Sequence, residues 1–201
     1  IRDSSRPRQR RDRHLIPKSL SLHNFLSYGE NVPTLDFSQF HVACLSGDNG
    51  HGKSAMLDAI TYALWGEARK GQHERKPDDG LLRIGASEMR VEFCFELDAQ
   101  QFRVLRSYRK HRSRGSAQLD LQIYDIESQS YRSLSEGDSL TRTQNRINQL
   151  LNLDYETFAN SAFIVQGRAD AFTEKNARQR KAILSQTVSY THLRAHETAT
   201  Y

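Results

Sequence analysis

The most constraining feature of this sequence is a glycine-rich loop at residues 47–54, which has the sequence GDNGHGKS. It fits the pattern G-x-x-x-x-G-K-[ST], in which glycines let successive backbone N–H groups point inward and form a nest for an anion. A helix that begins near Gly52 adds the positive end of its dipole to that nest. We therefore predict a phosphate-binding loop in which Lys53 reaches the β- and γ-phosphates of a nucleotide and Ser54 ligates magnesium. The predicted nucleotide-binding residues of this loop are Gly47, Asn49, Gly50, His51, Gly52, Lys53, Ser54 and Ala55.

The segments on both sides of the loop agree with that interpretation. Residues 41–46 are nearly all apolar, which predicts a strand buried on both faces. Residues 53–65 carry apolar side chains at helical spacing, and Gly66 is placed to end that helix. His51 occupies a variable position of the motif, so we expect it to be a surface neighbour of the phosphates rather than a catalytic group.

Composition limits the size and class of the fold. The chain has 201 residues, of which 37% are hydrophobic and 26% are charged, so it can bury a core of one domain or slightly more. No apolar run approaches the roughly 18–20 residues of a membrane span. Cys44 and Cys94 do not form a C-x-x-C pair, which disfavours a zinc site or a disulfide scaffold and indicates a reducing cytoplasm.

Both ends of the sequence are set apart from its middle. Residues 1–14 hold six arginines and two aspartates, so they account for most of the net charge of +5. We predict a disordered Arg-rich tail, and the alternative is an upstream misreading of the sequence. Residues 187–201 contain SYTHLRAHET, which resembles translated sequencing-adapter sequence, and we interpret them as a non-native tail. The folded domain is predicted to be residues 15–186.

Between the tails, alternation and helical periodicity predict the remaining elements. After the glycine loop and its helix, residues 66–90 are polar and predict a surface excursion. Strands are predicted at 19–25, 34–37, 89–97, 101–108 and 117–124, and helices at 140–151, 154–163 and 174–185. This pattern predicts an α/β fold that contains an antiparallel meander and flanking helices.

Two further stretches identify a family. Asn24-Phe25, Ser27-Tyr28 and LSGDNGHGKSAMLDAITYALWG at 45–66 resemble the N-terminal ATPase lobe of SbcC-type DNA-repair ATPases of the SMC superfamily. The run FANSAFIVQG at 158–167 and the later Arg180-Lys181 pair are similar to the Q-loop of that family and the start of its coiled coil. The resemblance covers about residues 15–186 and implies an ABC-ATPase-like P-loop NTPase lobe.

The resemblance also implies roles for individual residues. Gln166 aligns with the Q-loop glutamine, which implies a magnesium ligand and a sensor of the attacking water, so Lys53 and Gln166 are the implied catalytic residues. A loop that includes Leu82, Arg83 and Ile84 is implied to lie near the nucleotide base. An arginine that touches the nucleotide in some relatives is replaced here by Leu26. The implied cofactors are ATP and magnesium.

Basic residues cluster around the predicted turn between the strands at 101–108 and 117–124, with no acidic residue between Asp98 and Asp120. We predict that this hairpin contacts the DNA backbone without sequence specificity, and the alternative is a solvated hairpin tip. The predicted DNA-binding residues are Arg106, Arg109, Lys110 and Arg112.

The functional expectation is the ATP-binding half of an ATPase subunit in a DNA double-strand-break repair and exonuclease complex. Two heads would engage around ATP and control DNA processing by an SbcD-type nuclease, in the bacterial cytoplasm near the nucleoid. The Walker B and signature residues of the family are absent from this sequence, so we expect the chain alone to hydrolyse ATP negligibly. The alternatives are an SMC- or RecF-like DNA-organising ATPase with no nuclease partner and, more remotely, a P-loop small-molecule kinase.

Overall fold

A computed structural model provides the structure, and it describes residues 15–40, 42, 44–48, 52–68, 77–112, 115–135, 137, 139–156 and 158. Leu15–Tyr155 form one compact unit. Its elements in chain order are β1 (Ile16–His23), β2 (Leu35–Asp36), α1 (Lys53–Trp65), α2 (Pro77–Leu81), β3 (Glu88–Leu97), β4 (Gln100–Arg109), β5 (Ser116–Asp125), β6 (Ser130–Ser133) and α3 (Leu140–Leu151). None of the helices in this part of the chain is long and apolar enough to span a bilayer.

The strands form a six-stranded antiparallel sheet in the order β2-β1-β3-β4-β5-β6. Helix α1 packs on β3 and β4, whereas α3 packs on β5 and on α1. A row of directly paired residues crosses the middle of the sheet and forms the core beneath these helices. Its members are Leu20, Phe93, Val104 and Leu121, all at most 1% exposed. The predicted α/β fold with an antiparallel meander and flanking helices is confirmed.

The period-two alternation of β3, β4 and β5 decides which side chains enter the core. In β3, for example, Met89, Val91, Phe93 and Phe95 are buried, while the intervening side chains are at least partly exposed. The turn that joins β3 to β4 places Asp98 and Ala99 at φ 53° and 63°, the positive values that a tight two-residue hairpin needs.

The strand predicted at 41–46 is wrong for the described residues of that segment. None of them belongs to a strand, and Val42 and Leu45 are 91% and 43% exposed. A strand buried on both faces needs a partner at each edge, and the described sheet pairs neither β2 nor β6 with this segment. The apolar pattern therefore identified a segment whose side chains favour burial, but it did not identify neighbouring strands that would bury them.

The surface excursion predicted at 66–90 is also wrong in its second half. That part contains α2 and the start of β3, and Leu81 and Leu82 are 1% and 9% exposed. Strand β6 escapes prediction because its sequence, SYRS, is short and polar. The predicted helix at 174–185, both tails and most of the predicted helix at 154–163 lie outside the described residues.

Candidate phosphate-binding site

The N-terminal end of α1 is built to receive an anion. Gly52 precedes the helix with φ 86° and ψ 0°, and within residues 52–68 no side chain caps this end and no acidic residue occupies the first turn. The first backbone N–H groups of a helix have no partner inside it, and the helix dipole adds positive potential at the same place. An anion with several oxygens, such as a phosphate chain, fits this donor set.

Lys53 closes over the first part of the loop. Its Nζ atom donates hydrogen bonds to the carbonyl oxygens of Gly47, at 2.5 Å, and Asp48, at 2.8 Å. These two bonds account for two of the three donors of the ammonium group. The lysine therefore holds its charge over the backbone of the loop, close to the N-terminal end of α1.

The other predicted residues of the loop divide into two groups. Ser54 is exposed and Ala55 is 8% exposed at the start of α1, so the serine hydroxyl is on the accessible side of the helix. Asn49, Gly50 and His51 lie outside the described residues, and their predicted contacts stay predictions. An exposed hydroxyl oxygen is a ligand type that magnesium accepts, whereas the ammonium of Lys53 can pair with phosphates but cannot ligate the metal.

A turn that follows β1 borders the end of the loop. Tyr28 donates a hydrogen bond from its hydroxyl to the carbonyl oxygen of Gly52, at 3.2 Å. A Cβ atom at Gly52 would lie 2.9 Å from Ser27 Oγ and 3.3 Å from the Tyr28 hydroxyl. Burial raises the pKa of Tyr28, which keeps its hydroxyl protonated near neutral pH. A side chain at position 52 would therefore require Ser27 or Tyr28 to shift.

The segment implied to lie near the base is joined to the same turn. The Leu26 N–H donates to Leu81 O at 2.7 Å, and the Arg83 N–H donates to Asn24 O at 2.9 Å. Leu82 is buried, whereas Ile84 is fully exposed. Arg83 and Ile84 therefore follow a segment anchored beside the loop, and their contact with a nucleotide base stays a prediction.

Gln166, the other implied magnesium ligand, lies outside the described residues, so its position relative to Ser54 stays a prediction. Within the part of the chain that the structure describes, no group of three or more His, Cys, Asp or Glu side chains is placed to hold a metal ion. The hydroxyl of Ser54, in contrast, stands where the loop motif places a magnesium ligand.

Arg106, which the charge pattern of the sequence predicted to bind DNA, caps the C-terminal end of α1. The guanidinium of Arg106 donates to the carbonyl oxygen of Ala63, with both bonds at 3.3 Å, and to Gln144 Oε1 at 2.6 Å. It also lies 5.4 Å from the ring centroid of Tyr62. Arg106 is 8% exposed, so the prediction that it contacts DNA is wrong. Burial lowers the pKa of this guanidinium, and Tyr62 opposes that shift.

The sequence contains a signal for this outcome. Along β4, positions 102, 104, 106 and 108 form one face, and three of them are apolar or aromatic. Alternation therefore places the arginine on the core side, where it needs buried acceptors. The alternation of β4 therefore predicts that Arg106 is buried, whereas the positive charge of the cluster alone does not.

The other three predicted DNA-binding residues are exposed. Arg109 is paired with Glu88, with Nη2 and Oε2 2.6 Å apart, and Lys110 Nζ lies 3.9 Å from Asp79 Oδ2. Arg112 is exposed near the tip. These neighbouring carboxylates reduce the positive potential that the sequence alone suggested, and contact of Arg109, Lys110 and Arg112 with DNA stays a prediction.

Comparison with known proteins places this site in a family. The model of the family described as "AAA domain" matches residues 19–195. The chain is 32% identical over 171 residues to the SbcC component of the SbcCD nuclease of Deinococcus radiodurans, a match that covers 85% of this chain and 18% of that relative. It is 26% identical over 186 residues to the DNA double-strand break repair Rad50 ATPase of Thermoplasma volcanium, covering 90% of this chain and 18% of the relative.

A third relative extends the same pattern. The probable DNA double-strand break repair Rad50 ATPase of Aquifex aeolicus is 27% identical over 173 residues, covering 84% of this chain and 16% of the relative. The chain thus spans less than a fifth of the length of these relatives. Because the family model covers most of the chain and these relatives match the same region, the chain belongs to the AAA domain family as an ATPase domain of the SbcC and Rad50 type.

Proposed function

We propose that this chain is the ATP-binding N-terminal half of a DNA-repair ATPase whose nucleotide state controls DNA processing by a partner nuclease. The observation that carries the proposal is the open N-terminal end of α1, with Lys53 bonded across the backbone of the glycine loop. The relatives support the rest, since their names describe a component of a nuclease and DNA double-strand-break repair ATPases. Those names also favour a nuclease partner over an SMC- or RecF-like function without one.

Each residue of the site has a distinct task in this proposal. The ammonium of Lys53 exchanges the Gly47 and Asp48 carbonyl oxygens for phosphate oxygens, which form stronger bonds because they carry charge. The N–H groups in the first turn of α1 donate to the same phosphates. Magnesium supplies charge neutralisation, and the residues proposed to hold it are Ser54 and Gln166.

The chain is proposed to supply only part of a catalytic site. In the family that it resembles, the residues that complete hydrolysis belong to a C-terminal lobe and to the second head of a dimer. We therefore propose that ATP joins two heads, that DNA and an SbcD-type nuclease are the partners, and that the complex works in the bacterial cytoplasm near the nucleoid. By itself the 201-residue chain is expected to bind ATP weakly and to turn it over negligibly.

A nucleotide-binding assay tests the proposal. Binding of a fluorescent ATP analogue with magnesium is measured for the parent chain, Lys53→Ala and Lys18→Ala. Lys18 is a matched control, because it is a lysine on β1 whose Nζ pairs with Glu96 Oε2 at 2.8 Å on the sheet. We expect Lys53→Ala to weaken binding at least about tenfold, since a charge-assisted contact with phosphate is lost. Lys18→Ala should bind like the parent.

Two results would contradict this proposal. Equal affinity of Lys53→Ala and the parent would show that the glycine loop is not the binding site. Rapid ATP turnover at a rate independent of protein concentration would show that the chain contains a complete active site.

A further inference from the structure

The turn between β1 and β2 contacts Gly52, the residue before α1, through a hydrogen bond to its carbonyl oxygen. Tyr28 Oη donates to the carbonyl oxygen of Gly52 at 3.2 Å, and the Met56 N–H donates to the same oxygen at 3.2 Å. The second of these bonds is the first hydrogen bond of α1 and directs the carbonyl along the helix axis. A carbonyl oxygen has two lone pairs, so it accepts both bonds at once.

The direction of that carbonyl fixes the direction of a phosphate donor. The C=O of Gly52 and the N–H of Lys53 belong to one peptide plane, and in a trans peptide they point in opposite directions. When Tyr28 and Met56 hold the Gly52 oxygen toward the helix, the Lys53 N–H points out of the helix end, toward the glycine loop. Gly52 itself has a permissive backbone, at φ 86°, so this peptide needs external support.

The tyrosine is itself firmly placed. Its own N–H donates to Phe25 O at 2.9 Å, and Phe25 is fully buried against Tyr62, with the ring centroids 5.5 Å apart. The Asn24 N–H donates to Gly29 O at 3.0 Å and closes the turn. The hydroxyl of Tyr28 is therefore held in position by a turn that packs on the core.

We infer that Tyr28 is a positioning residue for phosphate binding, whose hydroxyl holds the Gly52 peptide so that the Lys53 N–H faces the phosphates. This inference rests on the proposed function, because it concerns how the proposed nucleotide site is built. It assigns to Tyr28 a role distinct from packing, since the ring alone would fill the space beside Gly52 without orienting the peptide.

Tripolyphosphate with magnesium is the probe, because it has the phosphate chain of ATP without its base. The uniformly 15N-labelled 201-residue chain is titrated, and the Lys53 amide is followed by NMR in the parent and in Tyr28→Phe. The matched control is Tyr124→Phe, which also removes one hydroxyl. Tyr124 lies on β5 against Tyr131, with ring centroids 5.2 Å apart. Melting temperatures of all three proteins are recorded in parallel.

We expect Tyr28→Phe to bind tripolyphosphate roughly three- to tenfold more weakly, the effect of one lost hydrogen bond, and to reduce the shift of the Lys53 amide on binding. Its melting temperature should stay within about 2 °C of the parent, and Tyr124→Phe should bind like the parent.

Equal affinities of the parent and Tyr28→Phe would overturn the positioning role while leaving the phosphate site intact. A lower melting temperature with unchanged affinity would show that the hydroxyl is only structural. If the parent does not bind, the proposed function fails and this inference fails with it.

Discussion

Within the described residues, side chains cap the two ends of α1 differently. At the N-terminal end, Gly52 provides no side-chain cap and no acidic residue occupies the first turn. At the C-terminal end, Arg106 bonds the carbonyl oxygen of Ala63, and Gln144 Nε2 bonds that of Leu64 at 2.8 Å. One helix is therefore left open to a ligand at its positive end and closed by protein at its negative end.

The difference follows from the free-energy cost of burying backbone polar groups without hydrogen-bond partners. A helix end buried without partners destabilises a protein, so the end of α1 that meets β4 and α3 is satisfied by two side chains. The other end reaches the surface, where water can replace a ligand at small cost. The proposed phosphate site occupies the end of α1 that lacks a side-chain cap, and we expect stability to depend on the end that Arg106 and Gln144 cap.

The closed end is the place where one substitution should have the largest effect. Arg106→Ala leaves the Ala63 carbonyl and the Gln144 amide without their charged donor in the core. We expect it to lower the free energy of unfolding by about 3 kcal/mol. Urea denaturation measures this change.

The control for that experiment is a neighbouring arginine on the opposite face of the same strand. Arg109→Ala removes an ion pair with Glu88 whose two side chains are 63% and 47% exposed. Exposed pairs contribute about 0–1 kcal/mol, so this variant should stay close to the parent. A loss for Arg106→Ala of no more than about 0–1 kcal/mol, as expected of an exposed pair, would show that the C-terminal end of α1 does not depend on Arg106.

The open end can be tested through its glycine. Gly52→Ala adds a Cβ atom 2.9 Å from Ser27 Oγ at a backbone φ of 86°. Gly85→Ala is a matched control, because Gly85 has φ 87° and no heavy atom within 4 Å of the added Cβ. We expect Gly85→Ala to cost about 1 kcal/mol through the backbone alone and Gly52→Ala about 2 kcal/mol, and chemical denaturation measures both.

The difference between these two variants isolates the crowding at the glycine loop. If both cost the same, Ser27 and Tyr28 move aside easily, and the contact between the turn and the loop is loose. If Gly52→Ala lowers the free energy of unfolding more than Gly85→Ala does, Ser27 and Tyr28 are held rigidly beside the proposed phosphate site.

The sequence predicted best where a pattern reports on local structure. Helices α1 and α3 occupy the predicted residues 53–65 and 140–151, and β3, β4 and β5 differ from prediction by one residue at each end or less. Their apolar periods of 3.6 and 2 record which face meets the core, and Gly66 ends α1 as expected, with its N–H bonded to Tyr62 O.

Two of the errors concern partners that are distant in sequence. Segment 41–46 is apolar enough for a buried strand, but pairing depends on neighbours that the pattern does not reveal. The acceptors of Arg106 lie 43 and 38 positions away, on α1 and α3. For the same reason the glycine loop could be predicted as a motif, whereas the contact of Tyr28 with Gly52 came only from the structure.

Alkaline pH provides a milder test of the closed end. Tyr62 and Tyr108 donate hydrogen bonds to Asp78 and Asp79 of α2, beside Arg106. Burial and the bond to Asp79 raise the pKa of Tyr108 to about 12. The stability that this tyrosine contributes is complete below its unfolded pKa of about 10 and is lost as the pH rises through its folded pKa.

We therefore expect the free energy of unfolding to fall as the pH rises from about 10 to about 12, by at most about 1.4 kcal/mol per pH unit for one such group. Tyr108→Phe should make that fall shallower, as measured by urea denaturation across this range. Tyr131→Phe removes a second tyrosine whose pKa burial raises to about 12, so this variant should make the fall shallower as well. Identical pH profiles for the parent and Tyr108→Phe would exclude this tyrosine as a source of the alkaline loss.

The smallest expected effect is on DNA affinity and concerns Arg109, Lys110 and Arg112, the predicted DNA-binding residues that do not cap α1. If the hairpin contacts DNA, Arg112→Gln should reduce the slope of log affinity against log salt by about 0.9, because one phosphate contact is lost. Arg109→Gln and Lys110→Gln should reduce it less, since Glu88 and Asp79 already offset part of their charge. Residues 1–14, with their six arginines, add the same background to every variant, so only differences from the parent carry information. Fluorescence anisotropy with a short DNA duplex at several salt concentrations measures the slopes. Three unchanged slopes would mean that these cations only solvate the hairpin tip, and that any DNA-binding surface of this chain lies away from β4.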